Sequence, residues 1–219
     1  MPRSKSPKSA ETRAHILDVA KDLFGAKGFQ ATTLREIADR ADVALGLTYR
    51  YFPQKQHLAL ALYGELADAF ADATAHQKPA SLADGFARAM RKKLELLAPH
   101  REAIAALFAA SLTAADSVSI VGDTTRAIRD RVRGVFMGVA ARATDLVGFA
   151  PDELATVLYG AHLLVVLAWL LDRDAKVTTY VTASHDVIAA ATPFLALPPV
   201  RLALAQIARS LDSFLEGSS

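Results

Sequence analysis

Eighteen consecutive residues, Leu154 to Leu171, carry no formal charge. A helix that is apolar around its whole circumference must be taken out of water, either in a bilayer or inside a protein core or subunit interface. His162 sits in the middle of the run and Asp152, Glu153, Asp172 and Asp174 flank it. No Lys/Arg cluster on one side would orient it across a membrane. The expected place for this helix is therefore a core or an interface between subunits, with no membrane partner.

The rest of the chain is patterned for helix. Apolar residues make up 52% of 219 residues, with alanine and leucine dominant and glycine sparse, which favours helix over strand. No cysteine is present, which removes disulfides and thiolate metal sites from consideration. The first fifteen residues are basic and polar without an apolar segment, so no secretory signal is expected, and the expected location is the cytoplasm. Residues 1–60 hold ten Lys/Arg against six acids, and the remainder fifteen against seventeen. A basic front on a slightly acidic body is consistent with a polyanion met by one end.

Residues 1–9 read as a disordered basic tail. Ile16, Val19, Ala20, Leu23 and Phe24 recur at helical spacing, with Ser9 or Thr12 as candidate caps and Gly28 past the end. Thr33 with Glu36 three residues later reads as a capping box opening a short second helix through Ile37, Ala38 and Ala41. Asp42 and Val43 make a tight break. A third short helix, about Leu45 to Tyr51, is closed by Phe52-Pro53. Helices are then predicted over about 54–75, 81–97, 101–112, 124–146, 152–172, 176–196 and 200–215. Pro99-His100, the stretch 113–123 and Pro198-Pro199 are read as breaks. The fold class is all-α, and the expected domains are 10–55 and 56–219.

Three short helices with a tight turn between the second and third read as a helix-turn-helix, whose third helix enters the major groove of double-stranded DNA. Ile37, Ala38, Val43, Thr48 and Phe52 can pack the turn against Leu23 and Phe24. That leaves Gly46, Leu47 and Arg50 on the open face, rimmed by Leu45, Tyr49 and Tyr51. Thr33 caps the second helix, and Arg35 is an exposed arginine beside it.

The stretch ILDVAKDLFGAKGFQATTLREIADRADVALGLTYRYFPQKQHL, residues 16–58, resembles the tetracycline-repressor-like (TetR/AcrR) family of regulators. The shared elements are A-x-x-L-F followed by G-F, T-x-x-E-I-A, V-x-x-G-x-x-Y-x-Y-F, and a lysine three residues past the phenylalanine. The resemblance implies an N-terminal DNA-binding head, a helical body that dimerises and binds a small molecule, and repression relieved by that ligand. It also implies DNA contacts by Tyr49 and Tyr51 and a phosphate anchor at Lys55. Three positions depart from the pattern. Asp42 replaces a glycine in the turn, but Asp tolerates the left-handed basin. Ala44 replaces a hydroxyl cap. Thr48 replaces a larger apolar residue, and its hydroxyl can bond back to a backbone carbonyl. Leu45 and Leu47 make the reading face apolar, which favours thymine methyl contacts and DNA shape there.

No nucleophile motif, phosphate-binding glycine loop or paired buried carboxylate is visible, so an enzyme and a cofactor are not expected. The six histidines lack metal-ligand spacing, and no metal is expected. The arginines at 126, 129, 131 and 133 read as a solvated face. A ligand pocket implied by the resemblance would draw on Tyr63, Phe70, Phe86, Met90, Phe108, Ser111, Phe136, Met137, Tyr159 and His162, with Arg133 at its edge. So apolar a set suits an apolar or amphipathic effector with at most one charge. Helices 152–172 and 176–196 are the expected homodimer surface. Two other readings remain open from the residues: a ligand-independent DNA-organising protein of this fold, and a helical small-molecule carrier without a DNA role.

Overall fold

The computed structural model describes residues 7–113, 125–146, 150–172, 174–195 and 197–216. Ten α-helices follow one another among them: α1 Pro7–Lys27, α2 Leu34–Arg40, α3 Leu45–Tyr51, α4 Lys55–Thr74, α5 Leu82–Leu97, α6 Arg101–Thr113, α7 Arg126–Ala141, α8 Pro151–Leu171, α9 Val177–Leu195 and α10 Pro198–Glu216. Apart from one isolated bridge between Ala80 and Ala143, there is no β-structure among the described residues. The all-α expectation holds.

Three punctuation readings change. Pro7, Lys8 and Ser9 lie inside α1, so Ser9 and Thr12 do not cap it; the rest of the tail and residues 114–123 of the expected loop lie outside the described residues. Pro99 does not break the chain but sits in a single 3₁₀ turn, Ala98–His100, that carries α5 into α6. Pro198 and Pro199 open α10 rather than precede it, because a proline in the first turn loses no helical hydrogen bond.

The chain divides into two compact units, Met1–Glu65 with Pro99–Val118, and Leu66–Ala98 with Ser119–Ser219. The division moves the expected boundary at residue 55 to the middle of α4 and assigns α6 to the N-terminal unit.

In the first unit, α1 ends where Gly28 turns to φ +88° and donates its N–H to the Phe24 carbonyl at 3.0 Å. The α2 N-terminus carries the expected capping box. The Glu36 N–H donates to Thr33 Oγ1 at 3.2 Å, and the Thr33 N–H donates to Glu36 Oε2 at 2.9 Å. The Lys27 ammonium, 2.5 Å from Glu36 Oε1, and the Thr33 N–H hold the Glu36 carboxyl down at about 2. Asp42 takes the left-handed conformation at φ 51°, as its short polar side chain allows. The turn then closes through the Val43 N–H on the Ala38 carbonyl at 3.0 Å. Ala44 leaves α3 without a side-chain cap. Ile16, Ala20, Phe29, Ile37, Ala38, Phe52, Leu58 and Leu62 form the core beneath these turns.

In the second unit, Ser81 caps α5 by accepting the Asp84 N–H at 3.1 Å. The apolar stripe Leu82, Phe86, Met90, Leu94, Leu97 is buried, with α5 packed on α9 and α7, α7 on α8, and α10 on α8. Phe136 is its centre, with ring centroids 6.2 Å from Phe70, 5.5 Å from Phe86 and 5.0 Å from His162.

Thr48 corrects an expectation. It is fully buried and its Oγ1 has no hydrogen-bond partner, so the back-bond to a carbonyl does not form. An isosteric methyl removes a buried polar group without leaving a cavity. Thr48→Val should therefore stabilise the N-terminal unit by about 1 kcal/mol, read as slower native-state hydrogen exchange in α1–α3. Equal or faster exchange would mean that the hydroxyl is satisfied.

Candidate functional site

Helix α3 presents Gly46, Tyr49 and Arg50 to solvent, with Tyr49 49% exposed. Leu45 and Leu47 are half-buried, so the reading face is less apolar than its composition implies. A Cβ at Gly46 would meet no atom within 4 Å. Nothing inside the fold demands glycine there, although a mid-helix glycine costs about 1 kcal/mol relative to alanine. Thr33 and Arg35 are exposed at the start of α2.

Two residues expected to contact DNA have partners within the fold. The Tyr51 hydroxyl donates to Ser9 Oγ on α1 at 3.0 Å. Lys55 is more fully committed. Its Nζ donates to the carbonyls of Phe29 at 2.6 Å, Gln30 at 3.1 Å and Thr32 at 2.9 Å, and lies 4.4 Å from the Phe29 ring centroid. An ammonium has three N–H donors, and all three are used within the fold. Burial holds the Lys55 pKa below that of a free lysine, Lys27 adds to this, and Glu102 opposes it. Lys55 thus ties the Gly28–Thr32 loop, which leads straight into the Thr33 cap, to the start of α4. These contacts give Lys55 a structural role within the fold, beside the phosphate anchor expected of it.

Residues 16–62 match the family model described as bacterial regulatory proteins, tetR family. Those 47 of the 219 residues are similar to the tetR family. A segment of the chain is 46% identical over 54 residues to the HTH-type transcriptional repressor KstR of Mycobacterium tuberculosis, an alignment spanning 25% of this chain and 24% of that protein. The chain thus aligns with about a quarter of the length of the curated relatives that it matches. The fold as a whole resembles a tetR-family regulator from Streptomyces coelicolor, at 23% identity and TM-score 0.61 over 92% of this chain and 89% of that one. It also resembles Thermus thermophilus FadR in complex with lauroyl-CoA, at 18% identity and TM-score 0.62 over 81% and 93%.

The residues expected to line a ligand pocket fall in different places. Tyr63 and Phe108 pack edge-on at 6.1 Å within the N-terminal unit, and Ser111 there donates to the Leu107 carbonyl at 2.9 Å. Phe70, Phe86, Met90, Phe136, Tyr159 and His162 are buried in the second unit, while Met137 is half-buried. A groove of about 310 Å³ does open in that unit, lined by Phe86, Leu164, Val165, Tyr180, Val187 and Ile188 among others. Of the ten expected pocket residues, Phe86 alone lines it.

His162 is fully buried. Its Nδ1 lies 2.6 Å from the Tyr159 carbonyl, which can only accept, so the ring proton sits on Nδ1 and leaves Nε2 as an acceptor. Nε2 has no hydrogen-bond partner, and burial, with the nearby Lys93 charge, pushes the pKa down to about 3. Lys93 went unnoticed in the sequence. It is wholly buried, its Nζ 5.1 Å from the Phe70 ring centroid, and burial pushes its pKa down to about 7. Its signal was register, since position 93 is seven residues past Phe86 on the apolar stripe of α5. The arginine run is also only partly solvated. Arg129 is buried and donates to Thr125 Oγ1 at 2.8 Å, Arg131 pairs with Asp68, and Arg133 Nε donates to Thr156 Oγ1 at 2.8 Å.

The Lys55 geometry separates two roles. Lys55→Ala should destabilise the N-terminal unit by about 1.5–3 kcal/mol, the range for charged hydrogen bonds, visible as faster hydrogen exchange across residues 28–40. Unchanged exchange together with a salt dependence of DNA binding flatter by about one ion would leave Lys55 the phosphate anchor alone.

Proposed function

We propose that the protein is a homodimeric transcriptional repressor. It reads operator DNA with α3 of each protomer and is released by an apolar or amphipathic small molecule carrying at most one charge. The observation that carries the reading is the exposed Gly46, Tyr49 and Arg50 surface, set by the Asp42 turn, within a segment that matches the tetR-family model. DNA contacts are assigned to Thr33, Arg35, Leu45, Gly46, Leu47, Tyr49, Arg50, Tyr51 and Lys55, the last two in addition to their partners within the fold. The setting is the cytoplasm, where operator DNA lies.

The dimer reading is supported by α8 and α9. Helix α8 is long and apolar enough to cross a membrane, but Leu154, Leu158, Tyr159, His162, Val166 and Trp169 of that helix are buried in the unit. What remains outside is a patch of Leu164 (69% exposed), Leu171 (75%) and Val187 (67%) on α8 and α9. A second copy bringing the same two helices would cover it as a four-helix bundle. The effector reading is supported by the ring-lined interior around Tyr159, His162 and Lys93, which is mostly apolar with few polar groups. The lauroyl chain of the ligand in a structural neighbour's complex agrees with an apolar portion, while the phosphates of its CoA exceed the single charge proposed here. Release then follows from a ligand that prefers a state with the two reading heads misplaced.

Selection from a random pool of DNA duplexes should return a palindrome with two half-sites. Arg50→Ala should relax preference at one base pair per half-site by about 1–3 kcal/mol. An unselective chain, or an Arg50→Ala variant that reads the palindrome as the wild type does, would overturn the reading. Sedimentation should show a dimer at micromolar concentration, and Leu164→Glu should yield a folded monomer that binds the palindrome far more weakly. A wild-type chain that sediments as a monomer would refute the dimer.

A further inference from the structure

The Gly28–Thr32 loop is gripped from a second side. Glu102, in the first turn of α6, accepts the Gln30 N–H on Oε1 at 2.8 Å, a contact that spans 72 residues of chain. Its other oxygen, Oε2, occupies the space in front of Gly28, where a Cβ would come within 2.6 Å of it. Gly28 is therefore favoured by its positive φ, and a side chain there would also displace the carboxylate. Lys55 holds the same loop through three carbonyls, and the charge of Glu102 reaches its ammonium. The loop's amide side is thus held by an anion and its carbonyl side by a cation. Each group satisfies backbone polarity that a short connection cannot satisfy from within.

Resting on the DNA-binding reading above, we propose that Glu102 is a positioning residue for operator binding. By fixing the Gly28–Thr32 loop against Lys55, it sets where Thr33 begins α2 and so the placement of the α2–α3 pair. The loop ends at the capping box, and α2 is only seven residues long. A displacement of the loop is therefore carried to α3 with little to absorb it. The two grips come from helices that continue into the other unit along the chain. Helix α4 runs on past Glu65, and α6 follows α5 after a single 3₁₀ turn.

The sign of the effect identifies the role. A surface acid near DNA only repels phosphates, so its removal strengthens binding. Removal of a positioning carboxylate weakens it. The test uses the full-length chain, a palindrome selected by the wild type, and the variants Glu102→Ala, Glu102→Gln and Glu102→Asp. Glu102→Ala should lower operator affinity about tenfold without changing the slope of affinity against salt, and should speed hydrogen exchange at residues 28–33. Glu102→Gln keeps the acceptor and the reach and should recover most of both. Glu102→Asp keeps the charge but is one methylene short and should behave like the alanine variant. Glu102 is exposed, so these changes leave the core intact. Wild-type or tighter operator binding by Glu102→Ala, or rescue by Asp in place of Gln, would overturn the proposal. A wild-type chain that selects no duplex would instead overturn the DNA reading itself, and the proposal with it.

Discussion

Two helices of seven residues cannot hold themselves together in water. Isolated helices shorter than about 12–15 residues are marginal even with favourable sequences. Helices α2 and α3 exist because Ile37, Ala38, Thr48 and Phe52 bury themselves in the core that α1 and α4 also supply. That dependence leaves the outer side of α3, with Gly46, Tyr49 and Arg50, exposed to solvent. The same burial makes the two connections, Gly28–Thr32 and Ala41–Ala44, the positions where geometry must be exact to within a hydrogen bond.

Charge is used internally to meet that demand. Lys55 and Glu102 satisfy the first connection, and the Lys27–Glu36–Thr33 group closes the cap that follows it. The second unit spends its interior polarity differently. Lys93, Arg129 and His162 are enclosed among aromatic rings and aliphatic side chains, where a charge is strongly disfavoured.

Much of this was legible from spacing. The stripe Ile16, Ala20, Leu23, Phe24 marked α1, the Thr33–Glu36 pair marked the start of α2, and Asp42 marked the turn. Each of these signals acts within a few residues of chain, where local chemistry decides the outcome. Prolines were misread at 99 and 198 because the same residue that ends one helix can open the next turn. Two residues of the set expected to face DNA have partners within the fold that spacing did not show. Tyr51 and Lys55 stand at the predicted edge of the reading helix, but Ser9 and the carbonyls of residues 29, 30 and 32 claim their polar atoms.

The sequence by itself determined the helical class, the order of helices and the place of the turn, because periodicity and capping are properties of neighbours along the chain. Tertiary structure alone decided what the long side chains do. A lysine on a helix can reach several ångströms in any of many rotamers, and only the fold shows that Lys55 turns to a loop, that Lys93 turns to a ring, and that Glu102 meets an amide 72 residues away. Those contacts join segments distant in the chain, and no local pattern encodes them.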